Sequence, residues 1–313
     1  MDAKTVIVTG ANAGLGYETA KNIALSDPAY HVVLACRSTS RAKAAAASLR
    51  AETGNPHLHA THVDLASLAS VRSFVNDLSG EVLPPLHGIV CNAGISASGV
   101  PGRPRTEDGF EMIFGVNHLG HFLLTNLLLS SMDDHGRIVF VTSDLHNPPA
   151  FFPAKVRYVS GDEIAHGTAG MAQYCISKLC NIYCTYEMAR LIQEQPDKRI
   201  TVNAFNPGAM PDTGFAAPTG NALTRGAVRI VGGMMGALIG KQSTAAESGR
   251  SLASLITGPE HAKTTGAYID RGAIAESSRL SHDQDNAREL WRASITMTGL
   301  RRAESIFTTS GID

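Results

Sequence analysis

The chain has almost no net charge: 27 lysines and arginines stand against 28 aspartates and glutamates, a formal −1 at neutral pH. Proteins that grip nucleic acid or an anionic membrane concentrate positive charge, so this balance argues against a nucleic-acid partner and for a small neutral substrate. Paired cysteines are also missing. The five present, Cys36, Cys91, Cys175, Cys180 and Cys184, are odd in number and have the spacing of neither a zinc ribbon nor a secreted disulfide framework. A reducing, cytoplasmic setting is expected. No uninterrupted apolar run approaches the ~20 residues of a membrane span. The opening Met1-Asp-Ala-Lys-Thr leads into only four or five apolar residues, too few for a signal peptide. No integral membrane segment is therefore expected. With no repeat, low-complexity linker or composition shift, one domain over 1–313 is expected.

Short apolar runs alternate with longer amphipathic ones, the pattern of βαβ units and a parallel sheet covered on both faces. It predicts strands at 5–9, 31–35, 57–63, 88–91, 136–142, 200–206 and 267–269. Helices are predicted at 17–26, 40–53, 68–78, 106–129, 170–195 and 244–257. The fold class is thus α/β, a Rossmann-type doubly wound sheet of seven parallel strands with right-handed crossovers. Segment 209–241, rich in Gly, Ala, Pro and Met, follows the sixth strand and would emerge at the carboxyl edge, where such sheets bind ligands. It suits an apolar lid over a hydrophobic substrate, a core helix or a subunit contact about equally.

Residues 9–16, Thr-Gly-Ala-Asn-Ala-Gly-Leu-Gly, follow the first strand and open a helix. Gly10 would permit a tight turn, Gly14 a close approach to a pyrophosphate, and Gly16 helix-on-strand packing, with phosphates at the helix N-terminus. Gly10, Asn12, Gly14, Leu15 and Gly16 are therefore candidate cofactor contacts, although a plain strand-to-helix turn uses the same glycines. The second strand ends in Ala35-Cys36-Arg37-Ser38, without the carboxylate that would accept from an adenosine ribose. Arg37 is placed to meet a 2′-phosphate, favouring NADP(H) over NAD. Asp64, followed by Leu65, could accept from adenine or cap the helix near residue 68. Asn92, Ala93 and Gly94 would let backbone lie against the cofactor.

Tyr174 and Lys178 are four apart in a helical stretch and so share a face. A phenol of pKa ~10 is a poor acid or base at neutral pH, and an ammonium beside it favours the phenolate. Ser143, at the end of the fifth strand, could hydrogen-bond a substrate oxygen. Asn117, a polar residue inside an apolar helical run, could hold a proton-relaying water or satisfy a backbone group.

These motifs, in this order, resemble the short-chain dehydrogenase/reductase family over nearly the whole chain. The resemblance implies a catalytic tetrad of Asn117, Ser143, Tyr174 and Lys178, with Tyr174 as general acid in reduction and base in oxidation. It further implies nicotinamide contacts near Pro207, Gly208 and Thr213, and a homodimer or homotetramer. Ala35-Cys36-Arg37, residues 115–124, residues 174–181, and Trp291 followed by Leu300 are similar to the branch holding retinol dehydrogenases and light-dependent protochlorophyllide reductases. Ala209 stands where the pigment reductases carry cysteine. An ordinary carbonyl/alcohol oxidoreductase is thus the expectation, a photoenzyme-like C=C reductase the alternative, and a non-catalytic nucleotide-binding scaffold the rival from another class. His146 and His166 have no further ligands at metal-binding spacing, so no metal is assigned.

Overall fold

The computed structural model describes residues 2–96, 105–167, 170–195, 197–210 and 242–307. Its strands are β1 Lys4–Thr9, β2 Tyr30–Cys36, β3 Leu58–His62, β4 Leu86–Cys91, β5 Met132–Val141, β6 Thr201–Asn206, β7 Tyr268–Asp270 and β8 Ala273–Ala275. They form one sheet in the order β3-β2-β1-β4-β5-β6-β7-β8. The doubly wound architecture is as expected, but the sheet has eight strands among the described residues rather than seven. Strand β8 returns antiparallel to β7 through a two-residue turn in which Arg271 and Gly272 have φ of 53° and 102°. Such left-handed pairs match the twist of a hairpin. The chain winds from β1 out to β3, then crosses back to lay β4 on the other side of β1. That reversal opens a crevice between β1 and β4 at their carboxyl ends.

Helices α1 Gly14–Ser26, α2 Thr39–Thr53 and a later helix, Ala245–Thr257, cover one face. There Val6, Val8, Val32, Leu34 and Phe205 are buried against Ile23, Leu49 and Leu252. Helix α3 Leu68–Ser79 and the long helix Met171–Gln193 cover the other, with Ile7, Val33, Ile89 and Phe140 meeting Phe74, Phe122 and Met188. The strand residues alternate between these two cores, so the sheet's near-continuous apolar runs are buried on both sides.

The expected helix over 106–129 starts later and is broken. A short α4, Met112–Phe114, is capped by the Glu111 carboxylate, which accepts from Phe114 N–H at 2.8 Å. A π-helical turn at Gly115–Leu119 follows, then α5 Gly120–Leu128. Residues 112–131 have the length and hydropathy of a membrane span, yet 89% of their apolar 18-residue window is buried inside the fold. Its apolarity therefore serves the core.

Among the described residues, two further helices lie outside the expected ones: α6, Gly161–Ala165, and a later helix, Gln284–Thr298. Numbered in order, Met171–Gln193 is α7, Ala245–Thr257 is α8 and Gln284–Thr298 is α9. Helix α9 packs on α7 and places Trp291 between Phe122 and Phe307, at ring-centre distances of 4.8 and 5.7 Å. Arg72 of α3 locks the segment beyond it. One guanidinium nitrogen donates to Glu304 at 2.7 Å, another to the carbonyls of Thr298 and Gly299 at 3.3 and 3.0 Å.

Helices α1 and α8 approach so closely that a Cβ on Gly249 would lie 2.5 Å from Glu18 Cβ and 2.9 Å from its carbonyl carbon. Gly249→Ala is therefore expected to destabilise the protein by about 1–3 kcal/mol, an overpacking cost. A helical glycine in open space would instead gain stability on becoming alanine, so the sign of the change in urea unfolding decides the matter.

Candidate active site

The sheet's carboxyl edge gathers most of the expected residues. After β1 the chain turns at Gly10 (φ 68°) and Gly14 (φ 55°) into α1, left-handed conformations that glycine adopts without strain. A Cβ on Gly10 would sit 3.0 Å from Ala93 Cα, and one on Gly16 would sit 2.6 Å from Gly10 O. The first position thus packs the turn against the strand beside it, and the second seats the helix on the turn. Asn12 is half-buried in the turn, Leu15 is buried behind it, and Cys36 lies beneath the N–H groups of Gly10, Ala11 and Asn12. The N-cap of α1, Ala13, offers no side-chain cap, and the first turn holds no acidic residue. Among the described residues no side chain caps its amide donors, a setting that suits an anion.

Arg37 is exposed beyond β2 and has no ion-pair partner among the described residues. Asp64 is not the cap of α3, because Ser67 fills that position by accepting from Ser70 N–H. The Asp64 carboxylate instead accepts from Ala66 N–H at 3.0 Å in a local turn. Leu65 is buried in the core, so only its backbone is available to a ligand.

Asn92 and Ala93 are tied to β1 by Thr9, whose hydroxyl accepts both backbone N–H groups at 2.9 Å, while the Asn92 amide donates to Thr9 O at 2.8 Å. The Thr9 hydroxyl also lies 2.9 Å from His121 Nε2, and His121 Nδ1 lies 3.2 Å from Asn117 O. A carbonyl only accepts, so His121 carries its proton on Nδ1 and presents Nε2 as an acceptor to the Thr9 hydroxyl, which also lies 3.2 Å from Val90 O. Burial pushes this imidazole down to about 4, so it is neutral at physiological pH. Its role as a link between two site segments had no signal in sequence.

The Asn117 side chain does not face open solvent. Its oxygen accepts from Ile95 N–H at 2.8 Å, and its amide donates to Ile95 O at 3.1 Å and to the Ser177 hydroxyl at 3.0 Å. The side chain thus satisfies both backbone groups of Ile95. This fixed bracket coincides with the π-helical turn, where Asn117 is pulled toward the end of β4.

Gly94 touches both elements: a Cβ there would lie 3.2 Å from Asn117 Oδ1 and 3.7 Å from Lys178 Nζ. Lys178 is buried, donates to Val141 O at 3.1 Å, and sits 5.6 Å from the centre of the Tyr174 ring. Burial pushes its ammonium down to about 8. Burial also holds the Tyr174 phenol above its usual range, opposed by a hydrogen bond with the Ser143 hydroxyl. Ser143, Tyr174 and Lys178 are thus brought together as expected.

His146 is buried behind Ser143. Its Nδ1 donates to Ser143 O at 2.7 Å and its Nε2 accepts from Ser278 N–H at 3.0 Å. His166 lies on the surface beside Asp162. Among the described residues no group of three or more His, Cys, Asp or Glu is placed to hold a metal ion. Pro207 and Gly208 (φ 79°) leave β6 at the same edge. Thr213 and residues 211–241 of the expected lid lie outside the described residues.

Residues 4–154 match the family model described as short chain dehydrogenase. Human retinol dehydrogenase 13 is 35% identical over 95% of this chain and 85% of its own length, and human polyprenol dehydrogenase is 32% identical over 95% and 86%. Among solved structures, a blue fluorescent protein from a metagenomic library, in complex with NADPH, superposes with a TM-score of 0.64 at 25% identity, covering 88% of this chain and 99% of that one. By sequence over its length, and by a fold that agrees with it, this chain belongs to the short-chain dehydrogenase/reductase family of oxidoreductases.

Proposed function

We propose that the protein is an NADP(H)-dependent oxidoreductase interconverting a carbonyl and an alcohol on an apolar small molecule, with Tyr174 as the acid/base group. The observation that carries this reading is the meeting of Ser143, Tyr174 and Lys178 beside the Gly94 backbone, at the edge where the β1–β4 crevice opens. Two relatives named for the dehydrogenation of retinol and of polyprenol, both apolar alcohols, agree with it.

The residues present fit a nicotinamide dinucleotide. Gly10, Asn12, Gly14, Leu15 and Gly16 would hold its pyrophosphate at the N-terminus of α1, and Arg37 a 2′-phosphate. Asp64 and the Leu65 backbone would face adenine. Ala93, Gly94, Pro207 and Gly208 would line the nicotinamide, with Asn92 holding that edge, and Thr213 is proposed as a further contact. When bound, that group supplies or accepts a hydride at C4 of its ring.

The chain's own residues handle the proton. The hydroxyls of Ser143 and Tyr174 hold the substrate oxygen between them. In reduction Tyr174 gives its proton to that oxygen as negative charge develops, and in oxidation it takes the proton back. Lys178 favours the phenolate by its charge and, at about 8, is itself able to exchange a proton near neutral pH. Asn117, through its bracket on Ile95, keeps Gly94 and Lys178 at one spacing.

A cytoplasmic location is part of the proposal, and so is self-association. Helix α9 lies across α7, so a homodimer or homotetramer would have to use a surface that this helix leaves open.

Titration of the purified protein with NADPH and NADH, followed by a panel of apolar aldehydes, ketones and alcohols, tests the whole reading. NADPH-dependent turnover in the dark supports it. Absence of binding to either nucleotide would sink it. Arg37→Ala is expected to weaken NADPH binding by about 10–100-fold, the worth of a charge-assisted contact, while leaving NADH nearly unchanged. Equal loss for both nucleotides would remove Arg37 from the phosphate.

A further inference from the structure

Asn206 is the last residue of β6 and is fully buried. Its backbone is already committed, since its carbonyl accepts from Arg271 N–H of the β7–β8 turn at 2.9 Å. The sheet therefore does not need its side chain, which does something else. The amide oxygen accepts from two backbone donors at once, Asp144 N–H and Gly208 N–H, both at 3.2 Å. The amide nitrogen donates to Asp270 Oδ1 at 3.0 Å. Two N–H donors on one side and a carboxylate on the other leave only one assignment of oxygen and nitrogen.

The two backbone donors belong to different working parts of the site. Asp144 follows Ser143, whose hydroxyl accepts from Leu145 N–H and lies 3.2 Å from Asp144 Oδ1. Gly208 belongs to the turn that leaves β6 with a left-handed φ of 79°. One oxygen atom thus pins the turn that aims the Ser143 hydroxyl and the turn assigned to the nicotinamide. Asp270 anchors the other end of the amide and is itself oriented by Arg271 Nε at 3.2 Å.

We propose that Asn206 is a positioning residue that fixes the Ser143 turn and the Pro207-Gly208 turn at a single separation, with Asp270 as its anchor. This rests on the oxidoreductase reading above. An asparagine suits the post because its short amide combines an oxygen with two lone pairs and a nitrogen with hydrogens to give. Aspartate would set a second carboxylate against Asp270. An aliphatic side chain would leave both N–H donors unpaired, and a serine is too short to reach both turns.

The test is an exchange of the two partners in the full-length chain. N206D, D270N and the double variant N206D/D270N are compared with wild type for NADPH dissociation constant, kcat, KM for the carbonyl substrate, and thermal midpoint. In N206D alone, kcat is expected to fall and the NADPH dissociation constant to rise, each about tenfold, as for a coupled buried network. In the double variant the Asn amide donates to the new carboxylate, which still accepts both N–H groups. Both quantities should return to within about threefold of wild type. If N206D does not fold, Asn206→Ser, which adds no charge, is expected to show the same joint loss.

N206D with wild-type kcat and coenzyme affinity overturns the inference. So does a variant that loses thermal stability alone, or an exchange that restores nothing. A wild-type protein that binds no nicotinamide nucleotide overturns the oxidoreductase reading itself, whereas an active wild type matched by N206D overturns only this inference.

Discussion

Phenylalanine at position 174 is expected to cut turnover by about three orders of magnitude, within the ~10²–10⁴ that a positioned acid or base contributes, while NADPH binds within a few-fold of its normal affinity. The substitution removes one oxygen from a side chain that is already buried, so the pocket keeps its shape. On the proposed mechanism, what disappears is the proton donor and one of the two hydroxyls on the substrate oxygen. A thousandfold loss corresponds to about 4 kcal/mol of transition-state stabilisation. The direction of the reaction adds a second readout. Burial holds Tyr174 in its protonated form at neutral pH, the form needed to deliver a proton, so carbonyl reduction should proceed there without titration of the phenol. Alcohol oxidation needs the phenolate and should climb as pH rises. Steady-state rates in both directions, with coenzyme affinity from nicotinamide fluorescence, check this. A Tyr174→Phe enzyme with more than a tenth of wild-type turnover would remove Tyr174 from the chemistry.

Mild acid should unfold the protein. Three histidines are buried and neutral: burial pushes His118 down to about 3, and His87 and His121 to about 4. In the unfolded chain each takes up a proton near pH ~6.5. The folded-state values lie below the unfolded one, so the unfolded state binds more protons as pH falls. Stability is therefore fully present above about pH 6.5 and declines through the window down to about 4. At 1.36 kcal/mol per pH unit per group, three such groups cost about 6 kcal/mol by pH ~5. That is comparable with the whole stability of many domains. Urea unfolding at neutral pH and near pH ~5 measures the difference. A change below about 1 kcal/mol would mean that these imidazoles are not held neutral.

What sequence could reveal divides by the range of the interaction. The Gly10–Gly16 turn, the Tyr174–Lys178 pair and most strands depend on neighbours a few residues away, and the α/β pattern carries them. Asn206, His121 and His146 work through partners 62, 112 and 132 residues distant, and no local pattern marks such contacts. The break at Gly115–Leu119 belongs to the same class. A helical period runs smoothly through 106–129, and the π-helical stretch coincides with bonds from Asn117 to Ile95, 22 residues away. Helix α9 is legible from its caps. Asp283 caps it, accepting from Asn286 N–H at 3.0 Å, and Gly299 ends it in the left-handed conformation, a cap pair written plainly in the sequence. Strand β8, three residues long and exposed, offers too little apolar alternation to be seen at all.

The clamp from Arg72 to Glu304 joins residues 232 apart, which sets a timetable for the chain as it is made. At ~5–20 residues per second of synthesis, Arg72 leaves the ribosome roughly 10–50 seconds before its partner exists. For most of that interval Phe122 is made and lacks Trp291, and the outer flank of α3 waits for the segment that will cover it. The core shared by Phe74 and Phe122 closes only when Trp291, Ile295, Leu300 and Phe307 arrive. A chaperone that recognises exposed aromatic surface would meet the nascent chain during this wait.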